Sequence, residues 1–328
     1  MKVSLLALVL TSATLFAQTS IVAGETAHLL FRSAPLRGGS VGRQIEDAVK
    51  DLKKSGLPIK VRVFATPAAE LKAVGEAVAK AFPPKMRPVV SVIQIARLPD
   101  AAASVLVEAV LTATNIENPN GLVFISGQLT QAPSGAIAPL VERSLANLSM
   151  IAGGMDVRAE DVLRVNCYSS SLEDHAQVRA AVLASFARAD VSVMQIQRTP
   201  TSQFVECDAV ARLNAKPAQA VRLINPTQAA FAQAAVVNAP RILFTSAFAS
   251  TSSDDAGVRV ALASLQTAVQ SARVTMDHVI YVSAYPGNQA LLDKFRALRF
   301  EVLVRSNAPA STNLVFEGTG LGVDAMAW

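Results

Sequence analysis

SVIQIARLP at Ser91–Pro99 returns 101 positions later as SVMQIQRTP at Ser192–Pro200. Six of the nine residues are identical, and Ile93 against Met194 conserves volume. Self-similarity of this kind marks a chain built from repeated units. A second phrase extends the pattern to three: LLFRSAPL from Leu29, LVFISGQL from Leu122 and ILFTSAFA from Ile242 carry Ser33, Ser126 and Ser246 in register. Residues 21–115, 118–214 and 224–328 are therefore read as three tandem units, each near the modal size of a domain.

Each unit repeats one order of elements. The F-x-S strand comes first, then a helix predicted over 41–54, 139–152 or 256–272, where apolar residues recur every three or four positions (Ile45, Ala48, Val49, Leu52). A strand follows over 59–65, 162–168 or 279–285, rich in β-branched and aromatic residues. Next is a second helix over 69–82, 174–186 or 289–300. In the first two units it carries the stripes Val74, Val78, Phe82 and Val178, Val182, Phe186, read as core. Two more strands close each unit, divided by turns at Pro99, Pro200 and Pro309. Segments 114–120 and 214–226, rich in Asn and Pro, are the linkers. This order gives an α+β unit with helices on one face of a sheet. The other sheet face needs a cover. Three units supply one another's by packing as an intramolecular pseudo-trimer, so the chain is expected to be a monomer built like a cyclic trimer.

The 328 residues carry a net charge of +5, with Lys and Arg scattered among acids. Asp51 interrupts the densest basic stretch, 50–54, and no aromatic platform accompanies it, so no nucleic-acid partner is expected. Residues 1–20 (MKVSLLALVLTSATLFAQTS) read as a secretory leader with a cut after Ala17, although Leu15 stands where a small residue is preferred. The expectation is a secreted or periplasmic protein with no membrane span. Cys167 and Cys207 lie on predicted strands of the second unit. They can pair in an exported protein or sit as two small buried hydrophobes, and the spacing decides neither. His28, His175 and His278 show no ligand spacing, so no metal is expected.

The second unit resembles the RidA (YjgF) group of reactive-intermediate deaminases. FISGQL at Phe124–Leu129, DVLRVNCY at Asp161–Tyr168, the helix over 174–186 and FVECDAVA at Phe204–Ala211 follow the family's order of motifs, and the outer units resemble it more faintly. The resemblance implies chorismate-mutase-like units, small-molecule clefts where units meet, and hydrolysis of enamines or imines to keto compounds and ammonia without a cofactor. It also implies site residues: Glu206 as the acid that positions water, Ser126 beside it as a catalytic partner, and Ser33, Ser246, Gly127 and Val191 around the substrate. Val191 stands where the family has the arginine that grips the substrate carboxylate. The first unit has Pro88-Val89-Val90 there, and the third, aligned without gaps, has Phe300 beside Arg299. Valine offers no donor to a carboxylate.

The acid is kept only as Glu206, with Leu106 and Val315 as its counterparts, while Glu108, Asp208 and Glu317 form a second set. Those three are read as structural partners of Arg97 and Arg198 or as catalytic acids. FAQAA at Phe231 resembles the family's Y-x-Q-A stretch with the hydroxyl lost. EGTGLG at Glu317–Gly322 opens no predicted helix and reads as a C-terminal tail rather than a phosphate loop. No histidine accompanies the serines, against a Ser–His–Asp hydrolase. An endoribonuclease, an activity also ascribed to the family, lacks a basic groove. Two readings stand: a divergent deaminase-like enzyme acting on a small metabolite, or a scaffold that binds a ligand or protein with the chemistry abandoned.

Overall fold

The computed structural model describes residues 21–225 and 230–328; the stretch 1–20 read as a secretory leader lies outside the described residues, as does the end of the stretch read as the second linker. In chain order the elements are β1 (Ile21–Gly24), β2 (Leu29–Ser33), α1 (Val41–Lys53), β3 (Leu57–Ala65), α2 (Leu71–Ala81), β4 (Val89–Gln94) and β5 (Val105–Thr112). Then come β6 (Leu122–Ala132), α3 (Ala138–Gly153), β7 (Val162–Ser169), α4 (His175–Ser185), β8 (Asp190–Gln195) and β9 (Gln203–Arg212). The last stretch holds β10 (Val221–Ile224), β11 (Ala234–Val237), β12 (Ile242–Thr245), β13 (Phe248–Ser250), α5 (Asp255–Ser271), β14 (Val279–Pro286), α6 (Gln289–Leu298), β15 (Ala310–Asn313) and β16 (Leu321–Ala327).

One four-strand order recurs in every sheet: β2-β5-β3-β4 in the first, β6-β9-β7-β8 in the second, β12-β16-β14-β15 in the third. In each, the middle pairs are antiparallel and the edge strand runs parallel to its neighbour. Two helices cover one face: α1 and α2, α3 and α4, α5 and α6, packed on separate apolar clusters. The stripes of α2 and α4 end in these clusters, with Val74, Val78, Phe82 and Val178, Val182, Phe186 all buried. Ser40, Asp254 and Asn288 cap α1, α5 and α6 by accepting from backbone N–H groups three residues on.

The leading strands do not stay with the sequence that follows them. β1 pairs with β12 of the third sheet rather than with β2, and β10–β11 extend the second sheet through β6 rather than pairing with β12. The two crossings are tied to each other: Thr26 Oγ1 donates to Ala239 O at 2.8 Å and accepts from Ala239 N at 3.0 Å. A crossover of four residues between β1 and β2, folded as a short 3-10 turn, carries the chain from one sheet to the next.

The uncovered faces of the three sheets meet each other. Phe31, Phe124 and Phe244 of the F-x-S strands join Val210 and Ile280 in one apolar layer. Phe64, Tyr168, Tyr285 and Phe316 form another with Ile93, Ile95, Met194 and Ile196 of the repeated phrases. The repeat is thus explained by packing: its alternate residues turn inward from β4 and β8, and the chain just beyond is bridged at Arg97 and Gln195. A polar layer lies on the same strand faces, one step along: Lys60 and Arg62 of β3, Arg164 of β7, Asp208 of β9, Asp324 of β16.

The third sheet corrects the reading of the last fifty residues. Pro309 stands before β15 rather than between the last two strands, and EGTGLG is a loop that leads into β16, the central strand of its sheet. Register follows: Arg62 faces Glu108, Asn166 faces Asp208 and Ser283 faces Asp324, so the third inward acid is Asp324, not Glu317. Glu108 pairs with Arg62 instead of Arg97, whereas Arg198 does pair with Glu317, at 3.0 Å.

Cys167 and Cys207 face each other across β7 and β9, fully buried, and are joined as a disulfide. On chain-entropy grounds a crosslink spanning 40 residues contributes about 4 kcal/mol. Denatured, unreduced protein should therefore take up no thiol label, and reduction should expose two thiols and lower the melting temperature by about 5 °C. Labelling without reductant would contradict the pairing.

Candidate functional site

The three serines of the F-x-S phrase stand where one sheet touches the next. Ser33 Oγ is 2.9 Å from Ser192 Oγ of β8, and Ser33 N donates to Asp190 Oδ2 at 3.0 Å. Ser246 Oγ accepts from Val90 N of β4 at 3.2 Å. Ser126 Oγ donates to Ala232 O at 2.6 Å and accepts from Ser311 N of β15 at 2.8 Å. Each serine is first a connector between sheets, and the proton of Ser126 is spent on a carbonyl. Ser126 therefore holds the wall of a cleft and keeps one lone pair to offer.

That cleft, about 400 Å³, lies between the second and third sheets and brings together Ser126, Gly127, Glu206, Phe231, Arg296 and Arg299. A bulge creates it. The β6–β9 register shifts between Ile125 and Gln128, so Ser126 and Gly127 both stand opposite Asp208. The bulge turns Ser126 toward β15 and lets Gly127 pass beside the acid. A Cβ built on Gly127 would fall 1.8 Å from Glu206 Oε1, so any larger residue there would push the Glu206 side chain from its present position.

Glu206 is 4% exposed, and among the described residues its carboxyl accepts no hydrogen bond and no ion pair. Burial, reinforced by the nearby Asp208 carboxyl and opposed by Arg296, pushes it up to about 8. At neutral pH it is mostly a carboxylic acid, able to give a proton and take one back. Across the cleft Arg299 is buried between two rings, its Cζ 4.5 Å from the centre of Phe231 and 4.3 Å from that of Phe300. Nη1 donates to Arg296 O, and Nε has no partner among the described residues. Burial and the neighbouring Arg296 and Arg305 lower the guanidinium to about 10, still cationic near neutrality. No carboxylate lies within ion-pair distance of Arg299 or Arg305 among the described residues, so this corner of the cleft carries excess positive charge. Leu129, Arg296 and Asn313 also border an adjoining, more polar cleft of about 680 Å³.

Three other residues fall elsewhere. Val191 on β8 packs its side chain against the helix-covered core of the second sheet rather than into a cleft. Phe300 lies in the turn after α6, and the third-sheet equivalent of Val191 is Ser311. Val315 is not the counterpart of Glu206. Tyr168 faces Glu206, Phe64 faces Leu106 and Tyr285 faces Gly322, so the acid is replaced by leucine in one sheet and by glycine in the other. Ser246 borders a cleft of about 580 Å³ between the first and third sheets, with Val90, Val92 and Phe248 making it mainly apolar. Arg296 and Arg299 belong to no motif. Their one sequence signal is a pair of arginines three apart at the end of a helix, hence on one face.

No protein-family profile matches the sequence, and no curated protein matches it. Solved structures similar to parts of the chain include YjgF and Rid family proteins and proteins described as putative endoribonucleases. A member of the YjgF/YER057c/UK114 family from Mycobacterium tuberculosis is 22% identical and covers 29% of this chain and 80% of its own, with a TM-score of 0.25. A protein of unknown function from the conserved Rid family of Yersinia pestis is 22% identical over 30% of this chain and 83% of its own, TM-score 0.25. A YjgF family member from Neisseria meningitidis is 17% identical over 30% and 83%, TM-score 0.25.

Proposed function

We propose that the chain is a RidA-like protein of three fused units, folded as an intramolecular pseudo-trimer, whose cleft at Glu206 hydrolyses imines or enamines bearing an anionic group. The observation that carries this reading is an unpartnered, proton-bearing Glu206 facing two guanidiniums in a cleft of small-metabolite size. The common strand order of the sheets and the cyclic contacts of Ser33, Ser126 and Ser246 with β8, β15 and β4 support the pseudo-trimer. A buried disulfide agrees with an exported protein.

In this reading Arg299, with Arg296, takes over the carboxylate-binding task that Val90, Val191 and Ser311 leave undone. Two planar forks, one pinned between rings, hold an anionic substrate with little loss of freedom. Glu206 donates its proton to the imine nitrogen. The carboxylate it leaves then draws a proton from the water that adds to the imine carbon, giving a carbinolamine. Collapse of that intermediate forms the carbonyl and expels ammonia, so imine and water are consumed one for one. The remaining lone pair of Ser126 accepts from the substrate N–H. A binding scaffold without chemistry is the second reading, favoured by the loss of a basic residue at the edge-strand position of all three sheets.

Ammonia release from imines generated in situ from amino acids separates the two. The hydrolase reading expects acceleration that Glu206→Gln lowers by about 10²–10⁴-fold. It also expects Arg299→Met to raise KM by roughly ten- to a hundredfold, the worth of a lost charge-assisted bond. Because the reactive form is the neutral acid, the rate should fall as pH rises through about 8. No acceleration with any imine would leave the scaffold reading.

Stability gives an independent check. The folded Glu206 binds its proton more tightly than the unfolded chain does, so its burial becomes more costly as pH rises from about 4.5 to about 8 and is constant above. Glu206→Gln should therefore be more stable than the native protein above pH 8, by on the order of a few kcal/mol, and equal to it near pH 4. An equal or lower melting temperature at alkaline pH would contradict the burial of an unpaired acid.

A further inference from the structure

We propose that the cleft at Ser246 binds an extended, uncharged peptide segment with apolar side chains, added as a strand along the free edge of β4. This cleft shares no residue with the one at Glu206, so the inference stands independently of the hydrolase reading. β4 is the edge strand of the first sheet and pairs with β3 alone. Ile95 N donates to Ala65 O at 2.9 Å, back toward β3, so the main-chain groups of Val90, Val92, Gln94 and Ala96 point outward. The two ends of this row are occupied. Val90 N donates to Ser246 Oγ at 3.2 Å, Val90 O accepts from Ala247 N at 3.2 Å, and Ala96 N donates to Gln195 O at 2.9 Å. Between them the N–H and C=O groups of Val92 and Gln94 have no partner among the described residues, and both residues line the cleft.

A donor and an acceptor thus recur every second residue along this edge, about 6.6 Å apart, the repeat of another extended chain. The bonds of Val90 with Ser246 and Ala247 already join β4 to the third sheet, and an added segment continues that interface. Beyond Ala247, β13 pairs with β16 alone, which leaves its other edge without a ladder as well. Unmet main-chain groups beside apolar walls are what strand addition satisfies. The buried rings of Tyr285 and Phe316 line the cleft together with Phe248 and the exposed Leu71. The glycine-rich stretch Gly318–Gly322 forms a further wall, tied down where Gly287 N donates to Gly320 O at 2.8 Å. Gly322 faces Tyr285 as Glu206 faces Tyr168, so the acid of the second sheet has no counterpart here. Among the described residues Glu317 is the one charged residue in the lining, and Arg198 Nε holds its carboxylate at 3.0 Å. A charged side chain entering the cleft would lose water without gaining a partner, which restricts the segment to uncharged residues.

The test titrates acetyl-Thr-Val-Thr-Leu-Thr-amide, whose Val and Leu share one face of an extended chain, into the full chain by calorimetry and amide NMR. The expected result is saturable binding at or below about 1 mM, with the Val92 and Gln94 amide signals among those that shift. The same peptide N-methylated at its Val and its central Thr keeps its apolar face and carries one methyl on each edge. Its affinity should fall by at least roughly tenfold, the worth of about one hydrogen bond. Asp and Lys in place of the Val and Leu should abolish binding. Val92→Pro removes an N–H that faces away from the β3 ladder and should weaken the native peptide by a similar factor. If that variant does not fold, the N-methylated peptide decides on the native protein. No saturable binding up to about 5 mM would overturn the proposal. Equal binding of the N-methylated peptide would overturn it too, since the cleft would then take apolar molecules without reading a main chain. Binding of the charged peptide as tightly as the apolar one would do the same.

Discussion

Each sheet has two faces to cover and only two helices with which to cover them. The helices take one face, and the other, carrying Phe31, Phe64 and their equivalents, can be buried only against another sheet. Everything else in the molecule follows from that requirement. The sheets meet through alternating layers, apolar, polar and apolar, because inward-facing residues lie two apart along β3, β7 and β14. The exchanged strands β1 and β10–β11 then tie neighbours together by main-chain hydrogen bonds, so no sheet can leave without breaking a ladder in another.

Clefts arise where an edge strand of one sheet runs past the F-x-S strand of the next, and the three have diverged. At Ser33 the hydroxyl and the backbone N–H are both taken up by β8. At Ser246 the walls are mainly apolar, and glycine replaces the acid. Among the described residues, only beside Ser126 do an unpaired carboxyl, a bulge with room for it and a cluster of guanidiniums coincide. In one chain each sheet has its own sequence, so the clefts need not share one chemistry, whereas three identical copies would have to. An unpaired buried acid lowers stability at neutral pH, a cost that packing alone would not retain.

Much of this was legible in the sequence, and the failures have physical causes. The F-x-S phrase and the S-V-x-Q-I phrase mark strands whose inward residues pack together, so selection on the core leaves a visible repeat. Glu206 and Gly127 stand out in the sequence only through the family resemblance of the S-G-Q phrase and of the closing-strand acid; that they lie side by side is seen in the β6–β9 register. In the third sheet the sequence points to Glu317 rather than Asp324, because β15 is short and the glycine-rich Gly318–Gly322 resembles a tail. Strand exchange leaves no local signal, since β1 has the same composition whichever sheet it joins. Arg299 shows in the sequence only as a neighbour of Phe300 and as one of two arginines three apart. Its place in the cleft depends on how α6 packs, which lies in tertiary structure rather than in spacing.

The proposed chemistry depends on the state of one carboxyl, and carbon-13 NMR of the Glu206 side chain, assigned by comparison with Glu206→Gln, reads it directly. The predicted titration midpoint is near pH 8, with the resonance that of a neutral acid at pH 6. A midpoint near the ordinary glutamate value, about 4.3, would mean a solvated or paired carboxylate. The cleft would then hold no proton donor at neutral pH, and the proposed chemistry would be contradicted at its first step.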